Sequence, residues 1–349
     1  MTSPTELPAA TALREGPGRG TGTGRSAGTG RAFGTFGELL QGALPDDGPE
    51  FLVTLPIAGW STATFRYDPQ EPAVSVRPAH KAKSRRLAGL LLELTGRPGG
   101  GELDLTGELP EGKGLASSSA DLVATARAVA AALRTPLPPT AVEALLRRIE
   151  PTDGVMYDGI VSFLHRDVRL RERLGYLPSM TVLAHDEGGR VDTVGFNRIP
   201  KDYTDEERRE YGRLLTALGT AVRTGDLAEV GRIATRSTEL SLRRRPHRGS
   251  GELRALCAEL DGLGLVRAHS GTNLGVLLPA GDPELAAKVE HARAACRSVG
   301  GTVSVHRTLG PEEFAAAPEP TAVPEFTAVP EFTAVPAAPG AGEGQPHAR

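Results

Sequence analysis

A glycine- and serine-rich loop runs directly into a helix-forming stretch at residues 110–120, which read Pro-Glu-Gly-Lys-Gly-Leu-Ala-Ser-Ser-Ser-Ala. The first turn of a helix has unpaired N–H groups and partial positive charge, so such a junction attracts anions. Glycines let the backbone approach a phosphate closely, serine hydroxyls can contact phosphate or Mg²⁺, and Lys113 adds a positive charge. The segment therefore predicts a nucleoside triphosphate site. For the loop alone, an ordinary turn with a serine N-cap is the alternative interpretation.

The residues on either side of the loop fit a strand–loop–helix unit. Alternating polar and apolar residues at 102–106 predict a strand before the loop. A single apolar stripe predicts a helix after the loop, and its members are Leu122, Ala126, Val129, Ala130 and Leu133. The loop lacks the Walker A pattern Gly-x-x-x-x-Gly-Lys-Ser/Thr, so it is not the phosphate loop of that class.

The composition excludes several classes of protein. The chain has 349 residues, a formal net charge of −3 and 4% aromatic residues, which argues against nucleic-acid binding. No apolar run approaches the roughly 20 residues of a membrane span, and the first residues lack a hydrophobic signal core. We therefore expect a cytoplasmic protein with no membrane partner. Cys257 and Cys296 are too few for a disulfide framework or a zinc cluster.

Both ends of the chain differ in composition from its centre. Residues 1–30 are rich in Gly, Thr, Pro and Arg, and we expect them to form a disordered tail. Near the other end, Thr-Ala-Val-Pro-Glu-Phe repeats from Thr321 and again from Thr327, a period far shorter than that of solenoid proteins. We therefore assign residues 312–349 to a second disordered tail.

Apolar periodicity between the tails predicts a mixed α+β core in two subdomains, 31–170 and 171–311. The predicted strands lie at 51–55, 61–67, 73–76, 102–106, 180–184, 190–194, 265–269, 274–278 and 302–307. The predicted helices lie at 84–94, 121–133, 140–149, 205–223, 227–242, 252–260 and 283–298. The alternation of helices and strands near the end suggests that the second subdomain is ferredoxin-like.

Three stretches of the core resemble the motifs of the GHMP kinase superfamily, which is named for galactokinase, homoserine kinase, mevalonate kinase and phosphomevalonate kinase. Residues 110–120 match its second motif, Pro-x-x-x-Gly-Leu-x-Ser-Ser-x-Ala. Residues 34–42, Gly-Thr-Phe-Gly-Glu-Leu-Leu-Gln-Gly, are similar to the first motif, and residues 268–272, Ala-His-Ser-Gly-Thr, to the third. The resemblance implies an N-terminal ATP-binding subdomain of the ribosomal S5 domain 2 type and a ferredoxin-like C-terminal subdomain.

Finer details resemble the PduX-type L-threonine kinases. These details are Gly-Glu-Leu-Leu-Gln-Gly at 37–42, Glu-Pro-Thr-Asp at 150–153 and Ala-His-Ser-Gly at 268–271, although residues 35–36 are Thr-Phe where that subgroup tends to carry Ser-Cys. The resemblance implies an enzyme that uses ATP and Mg²⁺ to make O-phospho-L-threonine for cobalamin biosynthesis. Two alternatives remain open: a kinase of another hydroxy amino acid or small alcohol in secondary metabolism, and a non-catalytic ATP-binding regulator. A third, a scaffolding protein that acts through its proline-rich tail, would leave the loop at 110–120 unexplained.

Phosphoryl transfer needs a phosphate cradle, neutralising charges and a group that orients the attacking hydroxyl. Asp153 follows Pro151 in a short turn, and the resemblance implies that it accepts the proton of the acceptor hydroxyl, whereas the residues alone also fit an Asx-turn. Lys113 is the second catalytic candidate, because it is expected to contact the phosphates of ATP. The predicted ATP-binding residues are Pro110, Gly112, Lys113, Gly114, Leu115, Ala116, Ser117, Ser118, Ser119 and Ala120.

Further assignments concern the metal ion and the acceptor. Glu150 and Ser118 are the predicted Mg²⁺ ligands, with Ser119 as the alternative to Ser118, since this cation often takes only one or two protein oxygens and completes its shell with phosphates and water. A solvated carboxylate at a helix end is the alternative for Glu150. The predicted acceptor-site residues are Glu38, Gln41, Ser270 and Gly271. Glu38 either binds the ammonium group of threonine or is an exposed strand residue.

Two other polar features receive structural roles. His269 is expected to support the phosphate loop rather than to take part in catalysis. The basic run at 243–248, Arg-Arg-Arg-Pro-His-Arg, ends a predicted helix, where cations offset the helix dipole and stay solvated. The alternative for this run is a loop that faces the cleft and holds the product phosphate or the substrate carboxylate. Because the composition argues against nucleic-acid and membrane partners, we expect the partner to be a small-molecule substrate. Formation of a homodimer is left open.

Overall fold

The computed structural model of the chain describes residues 24–190 and 201–315, which lie in one compact unit. Its strands are β1 (Ser26–Ala43), β2 (Glu50–Asp68), β3 (Val74–Arg77), β4 (Gly100–Gly107), β5 (Ile160–Leu164), β6 (Arg169–Gly175), β7 (Met180–Asp186), β8 (Gly264–Arg267), β9 (Asn273–Pro279) and β10 (Thr302–Arg307). Its helices are α1 (Ala82–Leu94), α2 (Ser117–Leu133), α3 (Pro139–Arg147), α4 (Asp205–Thr224), α5 (Leu227–Arg244), α6 (Ser250–Glu259), α7 (Leu285–Ala295) and α8 (Pro311–Ala315). None of these described helices combines the length and apolarity needed to cross a membrane.

The ten strands belong to one sheet. Its order is β10-β7-β9-β8-β1-β2-β4-β3, and β5 pairs with both β2 and β6. β1 and β2 are antiparallel partners over almost their whole length. The two halves of the chain share this sheet, because β8 pairs with β1 through Arg267 and Glu38. The predicted α+β class is confirmed, whereas the subdomain boundary at 170/171 stays a prediction.

Helix α2 packs against β1 and β2 at unusually short range. The helix is rich in alanine, and nearly every residue from Ser119 to Leu133 is buried. β1 presents Gly28 and Gly30 to it, and a Cβ atom at Gly28 would lie 2.2 Å from the backbone nitrogen of Ala132. Only glycine permits this approach, so the glycines of β1 place the phosphate-loop helix directly on the sheet.

The tail assignments need correction at their inner ends. Residues 26–30 are the first part of β1 and pair with β2 from Tyr67 to Ala63, so they are not tail residues. Glycines that pack against a helix contribute no apolar side chains to the sequence pattern. For this reason the composition assigned residues 26–30 to the disordered tail. Residues 312–315 form most of α8, in which the Phe314 ring stacks edge-on against Phe33 at 5.4 Å between ring centroids. The other tail residues, 1–23 and 316–349, lie outside the described residues.

Most other predicted elements have the expected type. The strands predicted at 51–55 and 61–67 are one continuous strand, β2, because Pro56 and Gly59 lie within the ladder without ending it. β1, β5 and β6 were not predicted. The strand predicted at 190–194 falls almost entirely outside the described residues.

We predict that the position of an N-terminal truncation decides its effect. A chain that starts at residue 24 keeps the whole of β1, whereas one that starts at residue 31 loses five residue pairs of the β1–β2 ladder and the glycine contacts with α2. The longer deletion should lower the urea unfolding midpoint clearly, and the shorter one should leave it near that of the full chain. Equal midpoints for the two truncated chains would contradict the structural role of residues 26–30.

Candidate active site

The three motif segments meet around the loop at 110–116. The backbone N–H of Gly37 donates to the Gly114 carbonyl at 3.1 Å, and that of Thr35 donates to the Leu115 carbonyl at 3.3 Å. From the third segment, the side-chain amide of Asn273 donates to the Lys113 carbonyl at 2.9 Å. The loop is therefore held from both sides by residues far from it in sequence.

Glycines make this convergence sterically possible. Gly114 has φ +77°, and a Cβ atom there would lie 2.4 Å from the Ala268 Cβ. A Cβ atom at Gly271 would lie 2.1 Å from the Lys113 carbonyl oxygen. Because these contacts are with backbone atoms or short side chains, no neighbouring flexible group can move away to accept a larger residue. The structure thus brings the predicted phosphate loop and the predicted acceptor residue Gly271 into direct contact.

The N-terminus of α2 is open to an anion. Ala116 precedes the helix in a left-handed conformation with φ 54°, no side chain caps the helix, and no acidic residue lies in its first turn. Ser118 is exposed there, whereas Ser119 is buried. The unpaired N–H groups and the positive end of the helix dipole can therefore be satisfied by a phosphate.

Glu150 lies beside this helix start and contacts two side chains. Its carboxylate accepts a hydrogen bond from the Ser118 hydroxyl through Oε1 and forms an ion pair with the Lys83 ammonium through Oε2. Glu150 is only 7% exposed, so it is not the solvated helix-end carboxylate of the alternative interpretation. A hydroxyl and a carboxylate oxygen in contact beside a phosphate site fit Mg²⁺, which prefers hard oxygen ligands and shares them with a nucleotide.

Asp153 contacts α2 through Ser119. The Ser119 hydroxyl donates to Asp153 Oδ2 at 3.3 Å, and the Asp153 backbone N–H donates to the same hydroxyl at 3.1 Å. The pKa of Asp153 is raised to about 7, first by burial and then by the negative charge of Glu38, against the opposing hydrogen bond from Ser119. A half-buried carboxyl group with a pKa near neutrality is suited to accept a proton in catalysis.

Glu38 and Gln41, which the sequence assigned to the acceptor, are buried residues of β1. Glu38 Oε2 makes two contacts with His269. It accepts a hydrogen bond from the His269 backbone N–H at 3.1 Å, and it lies 2.8 Å from the ring Nδ1 of the same residue. The backbone N–H of Gln41 donates to the Ser237 hydroxyl, and its side-chain Oε1 is buried without a hydrogen-bond partner. Glu38 is thus not an exposed strand residue, and His269 supports it from the third motif.

Lys113 is engaged in an ion pair on the other side of the loop. Its ammonium lies 2.6 Å from Asp186 Oδ2 and donates to the Gly189 carbonyl at 2.8 Å. Asp186 also accepts a hydrogen bond from the Thr272 hydroxyl at 2.6 Å. Burial opposes ionisation of Asp186, but the hydrogen bonds from Lys113 and Thr272 outweigh it and lower its pKa. In this arrangement Lys113 joins the phosphate loop to the end of β7 and to the third motif.

The basic run at 243–248 is not simply solvated. Arg245 donates to the Gly271 carbonyl at 2.7 Å, and Arg244 lies 2.6 Å from Glu207. His247 is buried, and its Nε2 lies 3.1 Å from the Thr272 carbonyl oxygen. The helix end is solvated as expected at Arg243 and Arg244, which are exposed, but the expectation fails after the helix, because the chain turns back there and packs on the third motif through Arg245 and His247.

Several site residues were missed by sequence reasoning. Lys83 is a single lysine in an ordinary amphipathic helix, and Asp186 ends an ordinary strand, so neither carries a motif. His165 is buried, neither of its ring nitrogens has a hydrogen-bond partner, although Nε2 lies 3.9 Å from Glu50 Oε2, and burial lowers its pKa to about 3. The sequence offered no signal for these residues, since only the tertiary structure brings them near the predicted motifs.

Comparisons with known proteins agree with this architecture. Residues 82–163 match the family described as GHMP kinases N terminal domain. The chain is 28% identical over 252 residues to the L-threonine kinase of Salmonella typhimurium, covering 69% of this chain and 80% of that protein. Among solved structures, the homoserine kinase from Cytophaga hutchinsonii aligns with a TM-score of 0.65 at 15% identity, covering 82% of this chain and 95% of that one. The mevalonate diphosphate decarboxylase from Enterococcus faecalis aligns with a TM-score of 0.57 at 16% identity, covering 82% and 98%.

Proposed function

We propose that this chain, which belongs to the GHMP kinase superfamily and is a small-molecule kinase, phosphorylates the side-chain hydroxyl of L-threonine with ATP. The product would be O-phospho-L-threonine, and the pathway that we propose is cobalamin biosynthesis in the cytoplasm. The similarity to an L-threonine kinase supports the choice of acceptor. The observation that carries the proposal is the hydrogen-bonded pair of Ser119 and Asp153, which puts a carboxylate beside the open start of α2.

The phosphates of ATP would bind at the start of α2. The loop at 110–116 and the first-turn N–H groups of the helix supply donors and positive potential there. Ser118 and Glu150 would hold Mg²⁺, which when bound neutralises phosphate charge and polarises the transferring group. Lys113 would stabilise the loop through Asp186, and it would reach the phosphates only by leaving that ion pair.

Asp153 would act on the acceptor hydroxyl. The threonine oxygen forms a bond to the γ-phosphorus, the bond from that phosphorus to the bridging β–γ oxygen breaks, and ADP leaves with the bond's electron pair. The hydroxyl proton passes to the Asp153 carboxylate. Because the pKa of Asp153 is about 7, the carboxylate is partly ionised at neutral pH and still basic enough to take this proton. A purely nucleotide-binding regulator would have no need of such a group.

Glu38 would bind the ammonium group of the amino acid. We predict that Glu38→Gln raises KM for L-threonine by roughly 10-fold or more, because a charge-assisted hydrogen bond is lost, and changes KM for ATP much less. The variant should also lower the pKa of Asp153, since the Glu38 charge is one cause of its rise, and thereby move the acid limb of the rate profile to lower pH.

Steady-state kinetics over pH 5–9 would test the role of Glu38. The matched control is Glu71→Gln, because Glu71 is exposed and its carboxylate lies outside the candidate site. A Glu38→Gln variant in which only KM for ATP rises would contradict the assignment to the acceptor.

The test of the function as a whole is ADP release across a panel of hydroxyl compounds. L-Threonine, D-threonine, L-serine, L-homoserine, mevalonate and galactose are each supplied with MgATP, and the phosphorylated product is identified by mass spectrometry. We expect turnover with L-threonine at the highest kcat/KM. Preferred turnover of another compound would replace the acceptor but keep the kinase chemistry. Absence of turnover with every compound, despite ATP binding, would leave the nucleotide-binding regulator as the better hypothesis.

A further inference from the structure

Lys83 occupies an electrostatically unusual position. It is the second residue of α1, so it lies at the positive end of that helix, and α1 has no acidic residue in its first turn. Through Glu150 it also lies next to the start of α2, which again has no acidic residue in its first turn. The dipoles of α1 and α2 therefore both disfavour the positive charge of the Lys83 ammonium. The Glu150 carboxylate is the group that compensates this charge.

Glu150 in turn needs a positive neighbour. Its side chain is 5% exposed, and a buried carboxylate without a counter-charge is strongly destabilised. One of its oxygens accepts the Ser118 hydroxyl and the other contacts the Lys83 ammonium. The Lys83 side chain is 50% exposed, so it can leave this contact for solvent without disrupting the core.

We propose that Lys83 is a displaceable counter-ion, which holds the Glu150 carboxylate in place before the divalent cation arrives and is displaced when that cation binds. The inference rests on the proposed use of MgATP, because Glu150 and Ser118 are assigned to the metal there. Lys83 is a positioning residue in this scheme, since it acts through Glu150. The lysine and the metal ion compete for the same carboxylate, so removal of the lysine should strengthen metal binding.

Titration of Mn²⁺ into the nucleotide-free full chain, followed by the EPR signal of free Mn²⁺, tests this competition. We expect Lys83→Met to bind Mn²⁺ about 10-fold more tightly than the parent protein, because an adjacent positive charge is removed. This sign separates the proposal from a purely structural role, in which loss of Lys83 would disorder Glu150 and weaken binding. If the parent binds no Mn²⁺ without nucleotide, the proposal requires that Lys83→Met does so.

Three further variants make the titration decisive. Arg86→Met removes a positive charge from an exposed position of the same helix and should change the Mn²⁺ affinity by less than about twofold. Lys83→Arg keeps the charge and should resemble the parent protein. Glu150→Gln in the Lys83→Met background should abolish the gained affinity.

Two results would overturn the proposal: unchanged or weaker Mn²⁺ binding in Lys83→Met, and tighter binding that survives the loss of Glu150. If Lys83→Met folds poorly, Lys83→Gln is used instead, because an amide still donates a hydrogen bond to Glu150 but carries no charge. The Mn²⁺ titration needs no acceptor, so failure of L-threonine turnover in the panel above would overturn the proposed function without deciding the role of Lys83.

Discussion

Replacing Asp153 by Asn is expected to abolish most of the kinase activity and at the same time to stabilise the protein at neutral and alkaline pH. The amide cannot accept the proton of the acceptor hydroxyl, so kcat should fall by about 10²–10⁴-fold. Asn has nearly the same shape and can still accept the hydrogen bond from Ser119, so the fold should not be disturbed. Measurement of kcat and of urea unfolding on the same preparations checks both parts.

The stability gain follows from the direction of the pKa shift. The folded-state pKa of Asp153 is about 7, well above the ordinary value, so the folded protein holds this proton more tightly than the unfolded chain. Stability attributable to Asp153 is therefore lost as pH rises from about 4 to about 7, and the deficit remains at higher pH. At pH 8, Asp153→Asn should be more stable than the parent by about 2 kcal/mol, less than the full shift would imply because the group is only half-buried.

The control for this prediction is Asp167→Asn, which removes an exposed carboxylate fourteen residues further along the chain. It should change neither kcat nor the unfolding free energy appreciably. The stability difference between Asp153→Asn and the parent should also vanish below pH 4, where the carboxyl is protonated in both the folded and the unfolded state. An Asp153→Asn variant that keeps parental kcat would remove Asp153 from the mechanism.

Replacing Gly271 by Ala is expected to damage both the fold and nucleotide binding. The added Cβ would lie 2.1 Å from the Lys113 carbonyl oxygen and 2.5 Å from the Gly114 nitrogen, so the phosphate loop must move. We expect a loss of stability of about 3 kcal/mol, at the upper end for overpacking, because the obstructing atoms belong to the backbone. Displacement of the loop should also weaken ATP binding by about 10-fold or more, since the donors no longer match the phosphates.

Urea unfolding and titration with a fluorescent ATP analogue check the Gly271 prediction. The matched control is Gly251→Ala in α6, where nothing lies within 4 Å of the added Cβ. That change should be neutral or slightly stabilising, by up to about 1 kcal/mol, because alanine favours helix more than glycine does. If Gly271→Ala retained parental stability and ATP affinity, the close contact between the third motif and the phosphate loop would be refuted.

The loop and the helix start of the site could be predicted from the sequence, whereas most hydrogen bonds and ion pairs between its side chains could not. The glycine- and serine-rich loop and the apolar stripe after it predicted a helix start open to anions, because both signals lie within about 20 residues, and the structure begins that helix at Ser117 rather than at the predicted residue 121. Ser118 and Glu150 were expected to lie together as Mg²⁺ ligands, and in the structure they share a hydrogen bond. By contrast, Lys113 was expected to contact phosphate, and the structure pairs it with Asp186.

The differences between the predicted and the observed contacts share one cause. A residue that belongs to no local sequence pattern acquires its role only from the distant segments that pack against it. Gly28 and Gly30 resemble a flexible tail in composition, yet they pack against α2 within a ten-stranded sheet. Lys83 resembles a solvated helix residue, yet it neutralises a buried carboxylate 67 positions further along the chain. Periodicity and glycine content report on neighbours along the backbone, and they carry no information about contacts between distant segments.

Sequence reasoning therefore sufficed for the α+β class, for a glycine- and serine-rich loop at 110–120 before a helix and for Asp153 in a short turn after a helix. These depend on backbone propensity and hydrogen-bonding needs within short segments. Tertiary packing was needed to bring Glu38, Ser119, Glu150 and Asp153 close together, to raise the pKa of Asp153 to about 7 and to place Lys83 against Glu150. Burial and electrostatic interaction between these groups arise only when β1, α1, α2 and the 150–153 turn are packed together.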